Sequence, residues 1–419
     1  MFKIGIDKNK IYMKTDRLNW AATLDIKVAL FELIIKKYSK LVILDLGNVT
    51  RVYPNGVLPI VTELDRFRRK GIKFQVIPPK DLSTRQYMQR LNWLYYLDPD
   101  NNQSFNKNNY QNFALHSFDN SDQLDEVINN ALEICMKQLV FAEGVPQAFE
   151  WTINEIAGNI LVHAGIETGY LQVLVDKEHH KLILIVCDSG VGIPYNIQKA
   201  FPEYHSDRLA IEHAIKKGVT SNPKYGQGNG LAGSVAIAVA SNSSLFITSG
   251  KGRVQVIDGR IRSERHYPKY FGTCVELQFN TQIAIDLPKA LWGHIPANYM
   301  ELNFESEQGD LIFKLTDHSS NFGNRPAGER IRNLVMNLLV QNQGKTVSID
   351  MDEIGVVASS FADELFGKLA VELGMIDFNR LIRIINVNPV CKKIVDEALV
   401  QRIVQSYGMQ NITLVKDFS

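Results

Sequence analysis

The chain has 419 residues, too many for a single hydrophobic core, so two or three domains are expected. Its 46 basic and 45 acidic residues leave a net charge of +1, which excludes a global basic field of the kind that recruits nucleic acid. Four widely spaced cysteines, no apolar run of the roughly 18 residues needed to span a bilayer and no signal-like start argue against a disulfide framework, metal clusters and membrane partners, and make the cytoplasm the expected address.

Elements follow from the periodicity of apolar residues. Residues 25–37 and 58–70 carry helical spacing, and 41–46 and 73–77 read as strands, a βα alternation that implies helices packed on a sheet. The Asn-rich stretch 98–112 has little to bury and reads as a loop or linker. From Ser121, the expected N-cap, a helical pattern runs to about 140, and a second helix is expected over 146–163. Strands dominate 170–187 and 245–279, the latter interrupted by Asp258-Gly259, a hairpin-turn dipeptide. Helices are expected at 207–217 and 231–240. Beyond a linker at 286–293 the alternation returns: strands at 310–315, 346–351 and 381–385, with helices at 327–340, 360–373 and 390–404.

The two ends of the chain also resemble each other. Residues 40–52 align without a gap on 345–357, with lysine, valine and aspartate coinciding at Lys40/Lys345, Val42/Val347 and Asp45/Asp350. A helical pattern follows each strand, which points to two related domains flanking a central module.

Four pieces in the central third carry chemistry. Glu155, Asn159 and His163 recur at spacings of four, which places them on one helical face. A carboxylate and an amide one turn apart can divide two tasks, polarising a nucleophile and ligating Mg²⁺, although such a stripe is also the solvated face of many amphipathic helices. Asp188 closes a strand and is followed by Gly190 and Gly192, so a carboxylate able to accept from the amine of a base precedes a sharp turn. Gly226, Gly228 and Gly230 precede a helical run, where backbone N–H groups can cradle phosphate. No βαβ unit surrounds these glycines, so they do not form a dinucleotide fingerprint. Thr273, after Gly272 in the last strand pair, could reach Asp188 through water.

In order, separation and setting, this series resembles the N-box, two glycine boxes and late threonine of the GHKL superfamily of ATP-binding proteins (gyrase, the ninety-kilodalton heat-shock chaperone, histidine kinase, MutL). The resemblance implies a central two-layer α/β sandwich of the Bergerat type, within an overall α/β (α+β) fold, and ATP and Mg²⁺ as cofactors. It implies that Glu155 is catalytic, Asn159 binds metal, Asp188, Gly190, Gly192 and Thr273 serve adenine, and Gly226, Gly228 and Gly230 hold phosphate. Residues 195–225 would be the lid. The Glu, Asn, His spacing is most similar to anti-sigma-factor serine kinases. The upstream helix has no histidine to serve a sensor kinase, and no transducer-like stretch of the gyrase type follows.

The C-terminal segment 350–369, with SerSerPheAlaAspGluLeu, and the upstream Arg325-Pro-Ala-Gly328-Glu-Arg330 resemble STAS-like domains, the partners of anti-sigma kinases. In those partners a serine at a strand-to-helix junction is phosphorylated, which makes Ser359 and Ser360 the candidate phosphoacceptors. An N-cap with Asp363 completing a capping box is the plainer role for either serine. The N-terminal copy has Tyr53-Pro-Asn-Gly56 there and lacks an acceptor. The expected organisation is a STAS-like domain at 1–98, a linker at 99–118, the ATP module at 119–283, a linker at 284–300 and a STAS-like domain at 301–419. The expected protein is a regulator in which ATP controls docking to a protein partner, with a homodimer as one expected state. Serine kinase, pure ATPase switch and non-catalytic nucleotide sensor are the three versions, and Glu155 argues against the last.

Overall fold

The computed structural model describes residues 3–105, 113–165, 168–219, 229–295, 304–305 and 310–406. The chain forms two compact units, one from residues 1–134 and 148–295, the other from 135–147 and 296–419. Its class is mixed α/β, as expected from the alternation of patterns.

The first unit begins with β1 (Ile4–Asp7) and β2 (Lys10–Met13), an antiparallel hairpin. After β3 (Arg17–Leu18), Asn19 caps α1 (Trp20–Phe31) by accepting from the Ala22 N–H at 3.2 Å. A π-helical turn, Glu32–Lys36, prolongs the helix to the end anticipated from its pattern. Then come β4 (Leu41–Asp45), β5 (Arg51–Val52), α2 (Pro54–Arg68) and β6 (Lys73–Ile77). Strands β2, β4 and β6 are parallel neighbours, with β1 on the edge. α3 (Leu82–Arg90) and α4 (Trp93–Leu97) close this part.

A five-stranded antiparallel sheet follows. It is built from β7 (Phe113–Phe118), β8 (Gly169–Asp176), β9 (Lys181–Cys187), β10 (Ser244–Ile257) and β11 (Arg260–Asn280) in the order β10-β11-β9-β8-β7. β7 lies in the stretch read as linker and supplies the sheet edge. The Asp258-Gly259 turn joins β10 to β11 with both residues at positive φ, 50° and 70°, the geometry of a tight hairpin. Between the strands lie α5 (Ser121–Met136), α6 (Val145–His163), α7 (Ile193–Ala200), α8 (Asp207–Ala214) and α9 (Gly230–Ala240). The short α10 (Leu287–Ala290) follows β11. The cap of α5 is Asn120, whose Oδ1 accepts from the Gln123 N–H at 2.9 Å, and not Ser121. Both residue types cap well, and the one nearer the turn takes the position.

Alternation along the strands divides the central sheet into two faces. Val186 and Val275 face the cavity described below, beside Ile156 and Ile160 of α6. Ile185, Cys187, Tyr270 and Cys274 belong to the same apolar cluster as Ile26, Leu30, Leu58 and Val61 of α1 and α2. The sheet is thus covered on both faces, with the N-terminal helices forming a layer beyond the expected sandwich. Cys187 and Cys274 are cross-strand neighbours with sulfurs 3.1 Å apart, and all four cysteines are buried free thiols.

In the second unit β12 (Leu311–Lys314), β13 (Val347–Asp350) and β14 (Ile382–Ile385) form a parallel sheet in sequential order. Helix Arg325–Gln341 joins the first pair, and a helix over 359–373, with a π turn at Asp363–Gly367, leads towards the third strand. This is the same β-α-β-α-β order as β2, α1, β4, α2 and β6. At the register read from the sequence, helix starts Trp20 and Pro54 fall on Arg325 and Ser359.

Asn333, Asn337 and Gln341, spaced by four on helix Arg325–Gln341, bind the backbone of the 136–144 segment. Asn337 is fully buried. Its amide donates to the carbonyls of Met136 (2.9 Å) and Leu139 (2.7 Å) and accepts from the Phe141 N–H (2.8 Å). Asn333 donates to Lys137 O, and Gln341 accepts from the Gly144 N–H at 2.9 Å.

Candidate functional site

The site is a cavity of about 380 Å³ in the first unit, between α6, the end of β9, the interior of β11 and the start of α9. Glu155, Asn159 and His163 line it from α6, Asp188 and Gly192 from the turn after β9, Gly230 from the start of α9, and Thr273 from β11. Residues spread over more than a hundred positions are therefore brought to one space. Gly226 and Gly228, and residues 220–225 of the expected lid, lie outside the described residues. From the described part of that segment, Asn196, Ile197, Ala214 and Val219 contribute to the wall.

Asp188 is the pivot. It is 2% exposed, and its carboxylate accepts from the Gly190 N–H at 2.7 Å (Oδ1) and the Thr273 N–H at 3.0 Å (Oδ2). Burial pushes its carboxyl up to about 6, opposed by those two backbone donors. Each oxygen keeps acceptor capacity for a further donor. Thr273 thus reaches Asp188 directly through its backbone, whereas its hydroxyl donates to Ser249 Oγ at 3.3 Å. Ser249 in turn donates to the Gly272 carbonyl and accepts from the Ile193 N–H, tying β10 to the same corner.

The glycines answer to close approach. A Cβ on Gly190 would lie 2.1 Å from the Ala164 carbonyl oxygen, so Gly190 shapes the turn and does not line the cavity. Gly192 has φ +82°, which favours glycine outright. A Cβ on Gly230 would meet Glu155 Oε2 at 2.1 Å, so the start of α9 is pressed against the acid.

On α6, Asn159 donates its amide nitrogen to the Glu155 carbonyl, leaving Oδ1 as the polar atom able to ligate. Desolvation raises the Glu155 carboxyl, offset in part by His294, which also lines the cavity. Desolvation lowers His163, favouring its neutral form.

Several lining residues fall outside the motifs that the sequence presents. Trp151 precedes Glu155 by four residues, so the stripe at spacings of four extends one step upstream, a signal that was present. Leu291, Trp292 and His294 come from the segment read as linker, and nothing in their spacing marked them. Trp151 and Leu291 both press on Gly233 of α9, and Lys217 lies over the Trp292 ring at 4.9 Å.

In the second unit Ser359 and Ser360 occupy the first turn of a helix whose N-cap is Ala358, with no side-chain capping bond. The capping box expected with Asp363 is not formed. That carboxylate is engaged by Arg325 (2.8 Å) and Arg402, which hold it below the usual carboxylate range, the hydrogen bond from Arg402 contributing most. Ser359 is exposed and Ser360 half-buried.

Among the described residues no cluster of His, Cys, Asp and Glu could hold a metal by itself, and no helix is long and apolar enough to cross a membrane. A family model for a STAS-like domain of unknown function (DUF4325) matches residues 327–391, from helix Arg325–Gln341 to just past β14. Residues 327–391 are therefore a STAS-like domain. No curated protein matches the chain.

Proposed function

We propose that the first unit binds Mg-ATP in this cavity, as a GHKL-type module, and that nucleotide state regulates docking of a protein partner through the STAS-like domain. One observation carries the reading: four motif fragments remote in sequence meet around a buried acid with only backbone donors. A buried carboxylate without a cation is expensive to retain unless a ligand completes its hydrogen bonding. The exocyclic amine of adenine is a donor of the right kind, and apolar Val186, Val275, Ile156 and Ile160 would flank its ring. A 380 Å³ space falls within the range of small-ligand sites.

Asn159 Oδ1, with phosphate oxygens, would hold Mg²⁺, which usually takes few protein ligands and would neutralise phosphate charge. The N–H groups that open α9 would face phosphate. Glu155, raised by desolvation, is suited to accept the proton of an attacking water or serine hydroxyl as the γ-phosphoryl group is transferred and ADP leaves. With water as acceptor the protein is an ATPase switch. With a serine of the chain or of a partner as acceptor it is a kinase of the anti-sigma type, and exposed Ser359 favours keeping that version.

Incubation with γ-labelled ATP and Mg²⁺ tests the reading. Binding without turnover in Glu155→Ala is expected, with Asn159→Ala losing the Mg²⁺-dependent part of binding. Label that stays on the wild-type chain and disappears in Ser359→Ala/Ser360→Ala identifies the kinase. Free phosphate alone identifies the ATPase, and no ATP binding by the intact chain refutes the reading.

A further inference from the structure

Helix α2 presents one face to the adenine corner. Asn55, Thr62 and Arg66, spaced by seven and four, point to one side, and Arg69 at the helix end continues the stripe. Asn55 donates to Glu276 of β11 at 3.2 Å, Thr62 meets the Tyr270 hydroxyl at 3.1 Å, and the Arg66 guanidinium lies 4.0 Å over the Phe271 ring. Arg69 donates to the Ser189 hydroxyl and pairs with Asp65 at 3.2 Å. These contacts fall on the two segments that supply the donors to Asp188. Ser189 sits between Asp188 and Gly190, and Tyr270 and Phe271 lead through Gly272 to Thr273.

We propose that Arg69 is a positioning residue for the nucleotide site, holding the 188–192 turn through Ser189 so that the Asp188 carboxylate is presented to ligand. The N-terminal part of the chain is then a component of the site and not only a docking arm. Ser189 is buried, and the charged guanidinium gives it a stronger bond than a neutral donor would. Loss of Arg69 loosens the turn at Ser189 and leaves it the Gly190 bond to Asp188, the Val191 N–H to the Ala164 carbonyl at 2.9 Å, the Ile193 N–H to Ser249 and the backbone pairing of Asp188 with Thr273. The ligand-binding half of this inference rests on the nucleotide reading. The anchoring half does not.

The test therefore has two readouts. In the nucleotide-free chain, Arg69→Gln should speed amide hydrogen exchange at residues 189–193 while exchange elsewhere in the central sheet stays as in the wild type. For ATP, Arg69→Gln and Ser189→Ala should each raise Kd about tenfold, the loss of one charge-assisted hydrogen bond. The double variant should be no worse than the weaker single one, and Arg69→Lys should recover most of the affinity. Unchanged exchange at 189–193, or additive losses in the double variant, would overturn the anchoring. A wild-type chain that binds no ATP while Arg69→Gln still loosens the turn would remove the nucleotide reading and leave the anchoring standing.

Discussion

Asp188 in the first unit and Asp363 in the second are both acids close to a turn and a helix start, yet their surroundings treat them in opposite ways. Asp188 is almost fully buried and has two backbone N–H partners and no cation, so its charge is penalised. Asp363 is partly open to solvent, and Arg325 and Arg402 neutralise it in place. Its neighbour Glu364 is buried but has Arg332 at 2.9 Å and Lys368 at 2.7 Å. A carboxylate already paired with cations has its charge and hydrogen bonding satisfied in place and offers little to a ligand. One kept short of partners inside a cavity is held ready for a donor that comes from outside.

The largest effect is expected where that unpaired acid is removed. Asp188→Ala orphans the Gly190 and Thr273 amides, each costing about 1–3 kcal/mol, and should abolish detectable ATP binding. Calorimetry together with thermal unfolding checks both halves. A variant that still binds ATP with near wild-type affinity would break the contrast with Asp363. In the second unit the comparable loss is Asn337→Ala, which strips partners from two carbonyls and one N–H of the 136–144 segment. A cost of about 3 kcal/mol is expected in denaturant unfolding, with ATP binding by the first unit as the independent reference.

A pH titration sharpens the comparison further, because the two acids contribute with opposite signs. The folded-state value of Asp188 is raised to about 6, so between its ordinary range near 4 and about 6 the native state holds the extra proton. Stability without nucleotide should then fall as pH rises through that window, by on the order of 3 kcal/mol, and level off above it. Asp188→Asn should flatten that slope. Asp363 is lowered, so its contribution is complete above the unfolded value and is lost as pH falls through the lower folded one. That slope should be shallow and salt-sensitive, since solvent screens the pair. ATP affinity should decline below about pH 6, when Asp188 takes up its proton and ceases to accept fully.

The same contrast explains what could be read in the sequence. Strand and helix patterns, the hairpin at Asp258-Gly259, and the side-by-side placing of Glu155, Asn159 and His163 all follow from local periodicity. The shared β-α-β-α-β order of the two ends was visible because both copies keep one register. What periodicity cannot show is which surface a helix is laid against. The helical spacing over 58–70 does not say that the polar stripe of α2 lies against β11 and Ser189. Trp292 and His294 enter the cavity by a turn with Trp292 at φ 55° and Gly293 at φ 92°, beyond the reach of pattern. The pattern marks a helix start close to the serines at 359–360, but both lie inside the first turn and neither caps it, because the chain enters that helix through Ala358.

The smallest effect is expected at Ser359, and its smallness is informative. Ala358 occupies the N-cap, so Ser359→Ala removes no capping bond and should change stability by less than about 0.5 kcal/mol. A true cap would cost about 1 kcal/mol. Ser359→Glu adds a charge at the positive end of the helix, worth about 0.3–1 kcal/mol. It also faces Asp363 one turn on, where like charges cost some tenths. Arg325 and Arg402 already neutralise that acid, so the helix-end gain should prevail slightly. Thermal unfolding of the three chains decides it: near-identical midpoints leave Ser359 a surface position where an added phosphate alters charge without altering the fold. A cap-sized loss in Ser359→Ala would instead make the hydroxyl structural, and would bring the second unit's serine into line with its carboxylates, groups used up in holding the domain together.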